Sequence, residues 1–299
     1  MIKRIQYFSF FLIMLWSLSL NAQKTTISFE YYQRLIFLKV KVNKMDSLLF
    51  LFDTGANASA IDTKTANVLK LTTLKMDSVE GSAGTIVVPH VKAKTVSVGK
   101  SLVKNIVFTK YDLSGSLAPP NQRLNGILGT DFLKNFVVAI DFQNKQITLS
   151  KKVVNKLQSS FPFEMENGIP RIKAKINNSV FTWFRYDSGS SLFDTKDIYI
   201  NTTTPVFDLL AKADTTLKPV AYFSATGIGG SIKLPVYKIN SVLLNAIEVH
   251  KPFIIVQPRQ GYFARPDAVG FFGNNFLEKF QKVTIDFIDK KMYIFNSAL

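Results

Sequence analysis

Leu48-Leu49-Phe50-Leu51-Phe52-Asp53-Thr54-Gly55-Ala56 decides how this chain reads. Five apolar residues run into a carboxylate, a hydroxyl residue and a glycine. A continuous apolar run bounded by a turn signal reads as a buried strand. An ionised Asp at the end of such a strand is costly unless something pairs with it. Gly55 lets the backbone turn sharply and come close to whatever faces the Asp. Standing alone, Asp-Thr-Gly is equally an ordinary strand-ending turn.

The pattern does not stand alone. Val180-Phe181-Thr182-Trp183-Phe184-Arg185-Tyr186 runs into Asp187-Ser188-Gly189-Ser190, and Ile176-Asn177 precedes Asp187 by the offset at which Val42-Asn43 precedes Asp53. Downstream, Asn125-Gly126-Ile127-Leu128-Gly129-Thr130-Asp131-Phe132-Leu133 has its counterpart in Val269-Gly270-Phe271-Phe272-Gly273-Asn274-Asn275-Phe276-Leu277. Each is followed by an apolar strand (Val137 to Phe142, Val283 to Phe287), then Asn144-Lys145 or Asp289-Lys290, then a closing strand. Ordered features recurring in one chain mark an internal duplication.

Asp-Thr-Gly-Ala and Asp-Ser-Gly-Ser, each followed downstream by two apolar residues and a glycine, resemble the aspartic peptidases of the pepsin and retropepsin type. The likeness runs from about Ile27 to Phe295, and short lobes without cysteine are closer to bacterial retropepsin-like proteins than to digestive pepsins. It implies an all-β, bilobal aspartic-protease fold: two β-barrel lobes related by a pseudo-two-fold axis, with a few short helices. The lobes are expected at 24–150, carrying Asp53, and at 160–299, carrying Asp187.

Met1 to Ala22 reads as a signal peptide, with Lys3 and Arg4 ahead of an apolar core from Phe8 to Leu20 and a small-residue cleavage site at Asn21-Ala22-Gln23. The apolar core is short for a bilayer span, and an uncleaved anchor is the alternative. The expectation is export to a periplasm or beyond, with no stable membrane anchor after cleavage. The chain has no cysteine, which removes disulfides, thiol nucleophiles and cysteine metal sites together. Its two histidines, His90 and His250, fall in different halves, and no Gly-x-Ser-x-Gly, P-loop or His-Glu-x-x-His motif occurs. No metal and no cofactor is expected.

The net charge is +16. Most lysines alternate with apolar residues, as in Leu38-Lys39-Val40-Lys41-Val42 and Ile172-Lys173-Ala174-Lys175-Ile176, which is the solvent face of strands. No basic stripe with interleaved aromatics argues for nucleic acid. Strands of four to eight residues dominate. One helix is expected after the first Asp site, capped by Asp62 and running to about Leu71, a second from Asp131 to Asn135, and a third opened by Pro205 through Leu210. Glu80 to Val88, with Gly81 and Gly84, reads as a glycine-tipped hairpin. Gly227, Gly229 and Gly230 tip its counterpart in the second half. The resemblance makes such a hairpin the flap over the substrate; an ordinary surface hairpin is the alternative.

A pseudo-two-fold axis can bring Asp53 and Asp187 together. Two adjacent carboxyls share a proton, so one can take a proton from a water while the other polarises a carbonyl. By resemblance, Thr54 and Ser188 hold the two loops through hydroxyl-to-backbone bonds, Gly55 and Gly189 allow close approach, and Gly129 and Gly273 pack behind the loops. Ala56 and Ser190 differ between the halves. A hydroxyl at Ser190 can donate to the carboxylate, so the charge is expected on Asp187 and the shared proton on Asp53. Arg185, two residues before Asp187, either stabilises that charge or points away across the strand.

The leading expectation is an exported, monomeric aspartic endopeptidase acting on polypeptide. A catalytically silent peptide- or protein-binding module on the same fold is the second reading, and a surface interaction protein using its basic face the third.

Overall fold

The computed structural model describes residues 24–81, 84–153, 160–190, 197–227, 230–245 and 247–295. The expected signal peptide and Gly229 lie outside the described residues.

The duplication is visible in a sheet that both halves build. Its order is Thr25–Ser28, Gln146–Ser150, Val137–Asp141, Lys282–Asp286, Lys291–Phe295 and Ser160–Pro162. Each half contributes its first strand and its last two, in mirrored sequence. The central pair is antiparallel, with Val137 opposite Asp286, Ala139 opposite Thr284 and Asp141 opposite Lys282. Hydrogen-bonding the last strands of the halves directly to each other fixes one half against the other along a backbone ladder.

Above this sheet each half folds its own. In the first half the order is Glu30–Tyr32, Leu35–Val42, Met45–Phe52, Gly126–Leu128, Ala60–Asp62, Ser101–Tyr111, Thr85–Val98 and Thr72–Glu80. Pairing of Lys41 with Ser97 and Val42 with Val96 curls it onto itself. The second half repeats the order with Ile169–Ile176, Val180–Tyr186, Gly270–Phe272, Tyr199–Thr203, Phe253–Gln257, Gly230–Lys238 and Ala221–Gly227. There Ala174 to Ile176 pair with Val242 to Leu244 to curl the sheet. The long hairpin of the first half is split in the second, where Ser241–Leu244 and Ile247–His250 form a separate turn. These first-half strands, at up to 14 residues, exceed the expected four to eight.

Alternation explains the strand faces. Phe50 and Phe52 in the first half, and Phe184 and Tyr186 in the second, point into an apolar core that runs through both. The strands ending at Asp53 and Asp187 pair in parallel with Gly126–Leu128 and Gly270–Phe272. Parallel strands buried on both sides read as unbroken apolar runs, which is why Leu48 to Phe52 shows no polar alternation.

Asp62 caps the helix Thr63–Val68, its carboxylate accepting from the Thr65 amide at 3.1 Å. The helix stops short of Leu71 because Lys70 turns to φ 50°. Thr130–Leu133 and Asn274–Leu277 are the paired short helices after the two glycines. Pro205 sits in the first turn of Thr204–Ala213, one residue earlier in start and three later in end than expected. Among the described residues no helix is long and apolar enough to cross a membrane.

Candidate active site

Each aspartate stands where a buried strand ends at the junction of the halves. The Asp53 amide donates to the Leu128 carbonyl at 3.0 Å, and the Asp187 amide to the Phe272 carbonyl at 2.9 Å. The same bond in both halves aims the two loops at one point. There the hydroxyl residues interlock. The Thr54 amide donates to Ser188 Oγ at 2.9 Å, and the Ser188 amide to Thr54 Oγ1 at 3.0 Å. Each hydroxyl then donates onward across the junction, Thr54 to the Tyr186 carbonyl at 2.7 Å and Ser188 to the Phe52 carbonyl at 2.9 Å. Both side chains are fully buried, so each loop holds polar groups that only the other satisfies.

The glycines explain how close the loops come. A Cβ on Gly55 would lie 2.4 Å from Asp187 Cγ, and one on Gly189 would lie 2.3 Å from Asp53 Cγ. Each carboxyl therefore lies over the other loop's glycine. Behind them, a Cβ on Gly129 would meet the Ala56 carbonyl at 2.8 Å, and one on Gly273 the Ser190 carbonyl at 2.7 Å.

Asp53 and Asp187 hydrogen-bond to each other. Burial pushes both above the ordinary carboxylate value, and Asp187 much further. Asp53 is held lower because its carboxylate accepts from the Gly55 amide at 2.7 Å and the Ala56 amide at 3.1 Å. Asp187 faces the negative charge of Asp53 and, among the described residues, accepts from the Gly189 amide at 3.1 Å. The upward push is therefore stronger on Asp187 than on Asp53. This reverses the expectation drawn from Ser190. Its backbone amide bonds the Asp187 carbonyl at 3.3 Å, whereas in the other half the Ala56 amide reaches the carboxylate. The Ala56 amide contributes to the difference, beside the burial of Asp187 and the Asp53 charge that it faces.

Arg185 does not reach for Asp187. It pairs with Glu166 at 3.2 Å and lies 4.1 Å over the Tyr262 ring, drawing Asp187 down only weakly. Tyr111, across the site, is pushed up to about 12 by burial and by the Asp53 charge.

The glycine hairpins form as expected. Glu80 pairs with Thr85, with the Gly81 amide on the Gly84 carbonyl at 2.8 Å, and Gly227 pairs with Gly230. The first hairpin touches the second half: the Tyr262 amide donates to the Gly81 carbonyl at 3.0 Å, and Arg265 lies 3.7 Å from Glu80.

Sequence reasoning missed the struts around the site. Tyr186 Oη donates to Asn274 Oδ1 at 2.7 Å, and Asn274 Nδ2 donates to the Arg34 carbonyl at 2.7 Å and the Ser188 carbonyl at 3.1 Å. Arg34 pairs with Glu278, which also accepts from Tyr31 Oη at 2.5 Å. This chain of polar groups joins the halves beside the Asp187 loop. In the first half Ser59 donates to Asp131 at 2.6 Å and accepts from the Gly129 amide at 3.0 Å. The one signal was Tyr186, a polar residue where the duplicate has Phe52.

Residues 38–132, which hold the first aspartate and the Ile-Leu-Gly segment, match the model of the aspartyl protease family. The matched segment sits in a chain whose overall fold is that of an aspartic proteinase. The chain is similar, over 92% of its length and 98% of the other, to the aspartic proteinase from Irpex lacteus. The TM-score is 0.55 at 12% identity, a likeness of fold. No curated protein matches the sequence.

Proposed function

We propose that the protein is an exported aspartic endopeptidase that hydrolyses peptide bonds with Asp53 as base and Asp187 as acid. One observation carries the reading: two half-buried carboxyls from duplicated loops hydrogen-bond to each other and hold unequal claims on one proton.

The chemistry follows from that inequality. Charged Asp53 takes a proton from a water between the carboxyls as its oxygen attacks the scissile carbonyl carbon. Protonated Asp187 donates toward the carbonyl oxygen, which gains negative charge as the C–O bond forms. The leaving amine takes the proton that Asp53 acquired, and the C–N bond breaks. No covalent intermediate arises, in keeping with a chain that has no cysteine. Main-chain pairing of an extended peptide against the hairpin and cleft walls supplies affinity, and apolar pockets supply preference. Both aspartates belong to one chain, so a monomer suffices.

The test is cleavage of an unstructured polypeptide at acidic to neutral pH, blocked by a statine-type transition-state mimic. Asp53→Asn and Asp187→Asn should each abolish cleavage with thermal unfolding nearly intact. Wild type and both variants behaving alike would give the fold to a silent binding module. Export, which rests on Met1 to Ala22, is tested by N-terminal sequencing of protein recovered from cell fractions.

A further inference from the structure

The two halves differ sharply on one sheet face. In the first half, cross-strand pairs set Phe37 opposite Leu51 and Lys39 opposite Leu49. Phe37, Leu49 and Leu51 are buried beneath Leu113 and Leu124. The neighbouring lysines are engaged, Lys39 with Gln122 at 3.2 Å and Lys41 with Asp46 at 2.9 Å. That face is closed.

The equivalent residues of the second half lie 134 positions on, the separation of Thr54 from Ser188. There Arg171 faces Arg185, Lys173 faces Trp183 and Lys175 faces Phe181. Tyr262 covers Arg185, whereas Lys173 and Phe181 are exposed and Lys175 and Trp183 half-buried. Arg171 and Lys173 stand 4.6 and 5.4 Å over the Trp183 ring, and Lys175 stands 5.0 Å over Phe181. Phe181, at 77% exposed, is the most exposed large apolar side chain among the described residues. Glu164 and Glu166 neutralise the inner arginines. Lys173 and Lys175 form no ion pair among the described residues.

We propose that this open face, made of Lys173, Lys175, Phe181 and Trp183, docks an acidic, extended stretch of the polypeptide substrate. A ring under an ammonium orders the side chain without cancelling its charge, so the lysines are held ready for carboxylates. The rings offer flat apolar area for the intervening side chains. Alternate residues of a strand stand about 7 Å apart, so the face presents its cations at the spacing of alternate side chains in an extended peptide. It lies on the strand that ends at Asp187 and runs about 20 Å out from it at roughly 3.3 Å per residue. A chain seated there is tethered near the carboxyl pair, which raises the local concentration of its scissile segment. Phe181 adds almost nothing to the core at its exposure, so folding does not account for its place.

The inference rests on the peptidase reading for calling the acidic stretch substrate, and its test separates the two. A fluorescent, glutamate-rich peptide and a glutamine-for-glutamate control are titrated by anisotropy into wild type and Asp187→Asn protein. The acidic probe should bind more tightly than the control and weaken with salt. Joint Lys173→Ala and Lys175→Ala, or Phe181→Ser alone, should weaken it about tenfold with the melting temperature unchanged. In the same variants a short neutral substrate should keep its kcat/KM, while one with an acidic extension should show a raised KM at constant kcat. Lysine-dependent binding without cleavage of any polypeptide would uphold the docking face and remove the peptidase reading. Equal affinity for the two probes, unchanged binding in the variants, or preference for a sulfated polysaccharide over the acidic peptide would overturn the proposal.

Discussion

Thr54 and Ser188 satisfy each other's backbone amides, hydroxyl to amide, at 2.9 and 3.0 Å across the junction of the halves. Neither loop can hold its geometry without the other, so the stability of the junction and the position of the two aspartates are one property.

Thr54→Val should therefore leave the buried Ser188 amide without a partner. Stability should fall by about 1–3 kcal/mol, read as a lower melting temperature, with catalytic loss larger than that fall explains. Thr54→Ser keeps the hydroxyl and should restore most of both. Ser188→Ala combined with Thr54→Val should cost less than the sum of the two, because they break one network.

Gly55→Ala or Gly189→Ala places a methyl against the opposing carboxyl. Turnover should be lost in both while the β-rich circular dichroism spectrum persists. Retained activity in either variant would mean that the glycine does not lie against the opposing carboxyl.

The pH dependence has a definite sign. The native pKa of Asp187 lies well above its ordinary 3.8. The folded protein keeps this proton where the unfolded chain has released it, so the contribution is full below 3.8 and is lost as pH rises through the native value. Urea unfolding across that window should show wild type losing stability relative to Asp187→Asn as pH rises. The alkaline limb of the activity profile should follow Asp187. Ser190→Ala should leave that limb almost unmoved, whereas tuning by the hydroxyl would shift it.

Asp62 gives the opposite sign. It is fully buried; burial raises its pKa, but the Thr65 and Leu113 amides and Arg123, at 3.0 Å, outweigh that and hold it below 3.8. Its contribution is present at neutral pH and fades as pH falls through the lowered value. Asp62→Ala should cost about 2–3 kcal/mol at pH 7, from the lost cap and the stranded Leu113 amide. That deficit should shrink in acid.

The sequence announced the duplication because the residues it needs are tolerant of nothing else. Only glycine fits under an opposing carboxyl, and only an apolar run survives burial on both faces, so Asp53-Thr54-Gly55 and Asp187-Ser188-Gly189 stood out with their strands. The glycine hairpins and the Asp62 cap were equally local signals. What stayed hidden depends on partners far along the chain. Asn274 reaching Arg34, and Tyr262 reaching Gly81, join residues that no periodicity links. Which aspartate keeps the proton was misread for a similar reason. Ser190 offers a hydroxyl by composition, yet the Ala56 amide arrives at the carboxylate by backbone conformation.

Because the last strands of both halves zip together within one covalent chain, a substitution need appear on one side only. Two identical chains meeting at such a seam would be obliged to carry every change twice, so leucine at one lip would force leucine at the other. Here Leu51 and Arg185 occupy matching places, and burial pushes the carboxyls they precede up to different extents. Fusion turned a mirrored device into one with a left and a right hand.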